Sequence, residues 1–328
     1  MTGGTGFVGA HLVGALQARG AEITCLVRSP AKAEALGWRG VRLVRGDLTN
    51  AAALREGCAG ADVVYHIAGV VAARDLAGFR AANTDGTAAV LAALEYTAAA
   101  LKYTAAAPPQ RLVFVSSIAA AGPTSRGRRL TTGLENSPVT DYGRSKLAAE
   151  ALVRAAPFPW VILRPPPVYG EWDREFLRLF QVARLGVAPV FGDGLQELSA
   201  IHAEDLAYAL IAAGESPAAA GKTYYPAHPE LLTSSGMALA AGRAAGASPR
   251  VIKIPGAVAR ALLRVTETAA RITGRVTLLT ADKAHEFLTP AWAVDAGPLT
   301  RDTGWQAHID LESGFRRTVA WYREHGWL

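Results

Sequence analysis

The chain has only two cysteines in 328 residues, Cys25 and Cys58. That is too few for a disulfide framework and fits a protein kept reduced. It also lacks an uninterrupted apolar run long enough to span a bilayer. The most apolar helical stretch, 255–273, is broken by Arg260, Arg264, Glu267 and Arg271. No cationic segment followed by an apolar run is visible, so the expected location is cytoplasmic. Charge is moderate, at 19% of residues against 50% apolar, which excludes intrinsic disorder and leaves ample material for a core. The net charge of +6 is spread along the chain. Its densest cluster, Arg126-Gly127-Arg128-Arg129, has no aromatics interleaved, so it reads as a solvated loop and no nucleic-acid partner is expected.

Another absence lies at the start. The chain opens Met1-Thr2-Gly3-Gly4-Thr5-Gly6-Phe7-Val8-Gly9, in which Gly4, Gly6 and Gly9 have the G-x-G-x-x-G spacing of a dinucleotide-binding turn. A helix over about 7–19 follows, with Val8, Leu12, Ala15 and Leu16 on one face and its open N-terminus aimed at phosphates. The expected cofactor contacts here are Gly3, Gly4, Gly6, Phe7, Val8 and Gly9. In a sheet of order 3-2-1-4-5-6, an apolar strand precedes this turn and lies in the sheet interior. Here only Met1 precedes Thr2. The expectation is that most of the first strand is missing, with ladder groups of both neighbours unpaired, and that the native chain begins several residues upstream.

An acid is missing from the next key place. After the strand-like run 21–27 comes Arg28, nineteen residues past Gly9, where a carboxylate would bond the ribose 2′-hydroxyl of NAD. An arginine there suits the 2′-phosphate, and Lys32 adds a second positive charge, so NADP is the expected cofactor, with NAD possible. Asp47 and Leu48 follow the strand at 41–44, on the edge where ligands sit. Ala68 and Gly69 end the next strand, with small residues where the cofactor passes. His66 reads as packed beside the turn rather than reactive. Strands alternating with helices predict an α/β fold, a doubly wound parallel sheet of the Rossmann type. Residues 1–168, joined by about 199–227, form the expected dinucleotide-binding domain. Residues 169–198 and 228–328 form a smaller, mostly helical substrate domain. The pentapeptide Tyr96-Thr97-Ala98-Ala99-Ala100 recurs seven residues later and reads as a local lengthening of a helix.

Of nine tyrosines only Tyr142 has a lysine four residues on, and on a helix Lys146 then shares its face. A phenol near pKa 10 is a poor base, but an adjacent ammonium and an oxidised nicotinamide stabilise its phenolate. Tyr142 is therefore the candidate acid/base, Lys146 its partner and a ribose ligand, and Ser117, at a strand end, the donor to the reacting oxygen. No metal cluster is expected.

These motifs together resemble the extended short-chain dehydrogenase/reductases, also called the NAD-dependent epimerase/dehydratase family. The resemblance covers Thr2 to Gly9, Asp47-Leu48, Asn83 with Gly86-Thr87, Ser117, Tyr142 with Lys146, the R-P-x-x-V-Y-G element from Arg164, the segment 201–206, and the tail around Gly304-Trp305 and Trp321-Tyr322. It implies that Pro165 and Val168 also line the cofactor. Sugar-nucleotide epimerases of the family carry an asparagine and an arginine near where Pro166-Pro167 and Leu198 stand here. The chain is closer in character to the 3β-hydroxysteroid dehydrogenase and dihydroflavonol reductase branch, which implies a secondary alcohol or ketone on a mainly apolar small molecule. A sugar-nucleotide epimerase or dehydratase with tightly held NAD and a non-catalytic NADP(H) sensor are the alternatives, and a homodimer is left open. The stripe Val258, Leu262, Val265, Ala269 and Ile272 suits an apolar pocket or a membrane surface, with packing on the substrate domain the preferred reading.

Overall fold

A computed structural model describes residues 1–101, 111–274 and 276–328. The glycine turn leads into α1 (Phe7–Ala18), followed by β1 (Ile23–Val27), β2 (Val41–Arg45), β3 (Val63–His66) and α2 (Gly86–Leu101). Then come β4 (Arg111–Val115), α3 (Asp141–Arg154), β5 (Trp160–Leu163), α4 (Ala203–Glu215) and β6 (Lys222–Tyr224). β1 pairs with β2, and β3, β4, β5 and β6 pair in that order, every pair parallel. The two groups meet through Thr2, which bridges Leu26 on one side and His66 on the other.

Two residues thus occupy the place of a first strand. Leu26 N–H donates to the Met1 carbonyl (2.9 Å), Thr2 N–H to the Tyr65 carbonyl (3.0 Å), and Ile67 N–H to the Thr2 carbonyl (3.3 Å). The expectation of unpaired ladder groups on both neighbours fails at these positions. His66 adds a side-chain tether: its Nδ1 is 2.7 Å from Thr2 Oγ1 and its Nε2 3.0 Å from Thr87 Oγ1. Burial foremost, with the Lys146 charge next, drives its pKa down to about 3, so it stays neutral, the state in which one ring nitrogen donates and the other accepts.

A parallel sheet covered on both faces needs continuous apolar strands, and β4, Arg-Leu-Val-Phe-Val, is buried at all five positions. Val113 and Val115 pack with Leu12 and with Leu206 and Leu210 of α4. Leu112 and Phe114 pack on the other face with Val90, Leu94 and Val153. A separate core of Tyr169, Phe180, Phe315 and Tyr322 lies outside the sheet. Cys25 and Cys58 are buried free thiols. The second copy of the Tyr-Thr-Ala-Ala-Ala repeat, 103–107, lies outside the described residues.

The C-terminal part contains α5 (Gly256–Ile272) and α6 (Leu311–Glu324). The preferred reading of the α5 stripe is overturned. Val258, Leu262, Val265 and Ile272 are exposed, while Ala259 and Leu263 are buried against the protein. The helix has two apolar strips about 100° apart, and the smaller one makes the packing contact. Among the described residues no helix is long and apolar enough to cross a membrane.

Candidate active site

The site forms where the chain leaves β4. Ser117 caps a short 3-10 turn (Ile118–Ala120), its Oγ accepting from Ala119 N–H (3.1 Å). Ile118 N–H donates to the Pro165 carbonyl (3.0 Å), which ties this loop to the exit from β5. α3 packs against the 3-10 turn, and Gly143 permits it: a Cβ there would stand 2.3 Å from the Ala119 carbonyl oxygen. Thr140 starts α3 by accepting from Gly143 N–H through its Oγ1 (3.2 Å).

On α3, Lys146 is buried and donates from Nζ to the Val115 carbonyl (2.7 Å), 4.4 Å from the centre of the Phe114 ring. Burial lowers its pKa to about 8, with the Glu150 charge pulling the other way. Tyr142, one turn earlier, has its pKa pushed up to about 12, chiefly by burial. The nearby Ser117 hydroxyl opposes this shift, and the Glu286 charge adds to it. The sequence pattern pointed to a phenol lowered by its lysine. In the structure the ammonium turns to Val115 O instead, and desolvation dominates at the phenol.

The glycine turn is packed tightly on itself and on the residues after β3. Gly3 has φ +77°, and a Cβ on it would lie 2.6 Å from Ala68 N; a Cβ on Gly9 would lie 2.1 Å from the Gly3 carbonyl oxygen. Gly4 and Gly6 complete the turn, Gly6 N–H donating to Gly3 O (3.0 Å). Gly6 precedes α1, which opens at Phe7 and Val8 with no side-chain cap and no acid in its first turn. Its first N–H groups are thus left for an anion. Asn83 holds the loop beyond Ala68 and Gly69: Oδ1 accepts from Val70 N–H (2.8 Å), and Nδ2 donates to Val70 O (3.1 Å) and to Ser145 Oγ (3.0 Å) on α3. A side chain at Gly69 would come within 3.8 Å of the Lys146 ammonium.

Arg28 is exposed at the carboxyl end of β1 and makes no ion pair among the described residues; Lys32 is exposed four residues on. Asp47, past β2, accepts from Thr49 N–H (2.9 Å) and Thr49 Oγ1 (2.6 Å). Those bonds first, and the Arg28 charge in addition, keep its carboxyl below the usual range. Leu48 packs against the face of Gly86 at the start of α2. Pro165 is buried, and Val168 is half-buried in a two-residue strand paired with Ile201–His202. Two open, polar surface hollows of about 430 and 820 Å³ contain none of Ser117, Tyr142 and Lys146. The convergence of those three side chains, rather than hollow size, marks the site.

Sequence reasoning missed the cover over Tyr142. Asp141 N–H donates to Asp282 Oδ2 (2.9 Å), and Thr140 Oγ1 donates to Glu286 Oε1 (2.8 Å). The Lys283 ammonium, paired with Glu286 at 2.5 Å, lies 5.4 Å from the centre of the Tyr142 ring. These residues stand some 140 positions from the tyrosine, and no local spacing announces them.

Comparison with known proteins places the chain in a family. The family model for the NAD dependent epimerase/dehydratase family matches residues 1–225. A ceramide reductase of Caulobacter vibrioides is 33% identical over all of this chain and 95% of its own length. A 2-alkyl-3-oxoalkanoate reductase of Stenotrophomonas maltophilia is 30% identical over 98% of each chain. Among solved structures, the UDP-glucose 4-epimerase of Thermus thermophilus, complexed with NAD, superposes with a TM-score of 0.75 at 22% identity, over 98% of this chain and 97% of that one. The chain belongs to the NAD dependent epimerase/dehydratase family, the extended short-chain dehydrogenase/reductases, and is a nicotinamide-dependent oxidoreductase of that class.

Proposed function

We propose a cytoplasmic, NADP-dependent reductase that converts a ketone on a mainly apolar, lipid-like molecule to a secondary alcohol. The observation that carries this reading is the convergence at the end of β4 of Ser117, the half-buried Tyr142 phenol and the buried Lys146 ammonium, with desolvation raising the phenol's pKa. At neutral pH it holds its proton and is a donor, which suits ketone reduction. The full-length similarity to two reductases of acyl-chain compounds supports the substrate class.

The residues present fit a dinucleotide: Gly3 and Gly9 let the turn fold tightly on the end of β3, and α1 opens beside it with uncapped N–H groups. When bound, the nicotinamide supplies hydride to the carbonyl carbon. Tyr142 gives its proton to the carbonyl oxygen, so the ketone gains one hydride and one proton. Ser117 holds that oxygen, and the Lys146 ammonium favours the phenolate left behind. Arg28 and Lys32 would hold the 2′-phosphate, and Asp47 and Leu48 the adenine side.

Two measurements test this. Arg28→Asp is expected to move preference from NADPH toward NADH by roughly tenfold or more, since it removes a charge-assisted partner and offers a carboxylate to the 2′-hydroxyl. Equal wild-type affinity for NADH and NADPH in parallel titrations would remove Arg28 from this role. The second concerns pH. Lys146 is charged below its lowered pKa of about 8 and neutral above it. kcat/KM for the cofactor, which reports the free enzyme, is therefore expected to fall as pH rises past about 8. An ordinary lysine would keep it level to about pH 10. A profile level to that point would detach the rate from Lys146.

A further inference from the structure

The catalytic reading leaves the exposed strip of α5 unused. Val258 and Leu262 are 48% and 49% exposed, Val265 66% and Ile272 81%. At 100° per residue these four and Ala269 fall within about 80° of arc. Arg260, Arg264 and Arg271 lie together about 120–160° round from the strip's centre, and Ala259 and Leu263, on the other flank, pack against the protein. Arg271 pairs with Glu267 (2.6 Å), while Arg260 and Arg264 make no ion pair among the described residues. An apolar strip turned outward with arginines on the far side of the helix is the pattern of a helix lying in a lipid headgroup region, where the strip enters the acyl boundary and the long cationic side chains reach back to phosphates.

The same helix is joined to the cover of the active site. Thr266 Oγ1 donates to the Leu279 carbonyl (2.6 Å), and Glu267 Oε2 accepts from Ala281 N–H (2.9 Å). The next residues, Asp282 and Lys283, are those that reach Asp141 and the Tyr142 ring. At the end of the helix, Arg74, from the loop after β3, donates to the Gly274 carbonyl (3.2 Å). A surface seated on α5 is thereby held a few residues from Tyr142.

We propose that α5 docks this chain onto the surface of a bilayer containing anionic phospholipid, and that the docked helix sets the site's entrance against the membrane from which an apolar ketone is taken. The docking stands on the helix itself; only its use for substrate entry rests on the reductase reading above.

The test is flotation of the full chain with vesicles of phosphatidylglycerol and phosphatidylcholine in equal parts, and with phosphatidylcholine alone. NADPH oxidation with a water-soluble short-chain 3-oxo ester is measured in parallel. Wild type is expected to float with the anionic vesicles, less at high salt, and at least tenfold less with phosphatidylcholine alone. Leu262→Glu with Val265→Glu is expected to abolish flotation and leave the soluble-ester rate and melting temperature unchanged, because both side chains project from the surface. Arg260→Ser with Arg264→Ser is expected to weaken flotation severalfold. Wild type left unfloated, or the double glutamate variant floating normally, would overturn the docking even if the ester is reduced. A concentration-dependent dimer dissolved by the same glutamates, without flotation, would assign the strip to a second copy and also overturn it. Flotation with no ketone reduced would refute the reductase reading alone.

Discussion

Replacing Tyr142 by phenylalanine is expected to lower turnover by about 10²–10⁴-fold while NADPH binding stays close to that of the parent. The substitution removes one oxygen and keeps the ring. The contacts that place the ring, Phe79 at 6.0 Å between centroids and the Lys283 ammonium at 5.4 Å, address its carbon framework and survive. What disappears is the hydroxyl beside Ser117 that holds a proton at neutral pH and can release it onto an adjacent oxygen. Lys146 is no substitute, since its Nζ is committed to the Val115 carbonyl and lies under the Phe114 ring. Steady-state NADPH oxidation with a ketone substrate, alongside fluorescence titration of NADPH, separates the two effects. Turnover within threefold of the parent would remove Tyr142 from the chemistry. Unchanged turnover per bound cofactor with lost affinity would make it a binding residue instead.

Much of this was legible in the chain because dinucleotide sites are built from short spacings. Gly3 to Gly9, the Tyr142–Lys146 pair and the R-P-x-x-V-Y-G element each span one turn or one strand exit, where local geometry dictates residue type. The parallel sheet was legible for the same reason: β4 and β5 are short apolar runs between helical stretches. Four things were not. Thr2 bridges Leu26 and His66 while Met1 pairs with β1, a junction that the two residues before the glycine turn do not announce. The exposed face of α5 was misassigned because Val258–Ile272 and Ala259–Leu263 are both helical-period strips, and periodicity does not say which meets the core. The cover from Asp282 to Glu286 reaches Tyr142 only through tertiary folding. Glu150 was overlooked for a related reason: it reads as an ordinary surface acid four residues past Lys146.

That glutamate is the centre of the second large expectation. Glu150 is fully buried on α3, and Arg164, 3% exposed at the end of β5, meets it with two hydrogen bonds, Nε to Oε1 (2.8 Å) and Nη2 to Oε2 (2.6 Å). Ser116 Oγ donates to Oε1 (2.5 Å), Arg154 Nη2 to Oε2 (2.8 Å), and Arg164 Nη1 to the Tyr225 hydroxyl (2.8 Å). Burial alone would raise the Glu150 pKa, but the bonds and charge of Arg164, with Ser116 and Arg154, hold it below the usual carboxylate range. A group held low in the folded state stabilises the fold above its unfolded pKa and loses that contribution as pH falls through the folded value. Glu150→Ala at neutral pH strands the Arg164 guanidinium without its partner. Breaking such a buried pair costs about 3–5 kcal/mol, on the order of 5 °C in melting temperature for a chain of this length. Glu150→Leu combined with Arg164→Met removes both charges and is expected to recover much of the loss, since the desolvation cost goes with them. Lys146 shares α3 with Glu150 and loses the charge that supports its own, so Glu150→Ala is also expected to move the alkaline limb of the rate profile to lower pH. Thermal melts at pH 7 and pH 4 of parent, single and double variants decide it. If the single variant melts within 1 °C of the parent, or the double variant lies below the single one, the Arg164–Glu150 pair does not hold β5 to α3 in the way described.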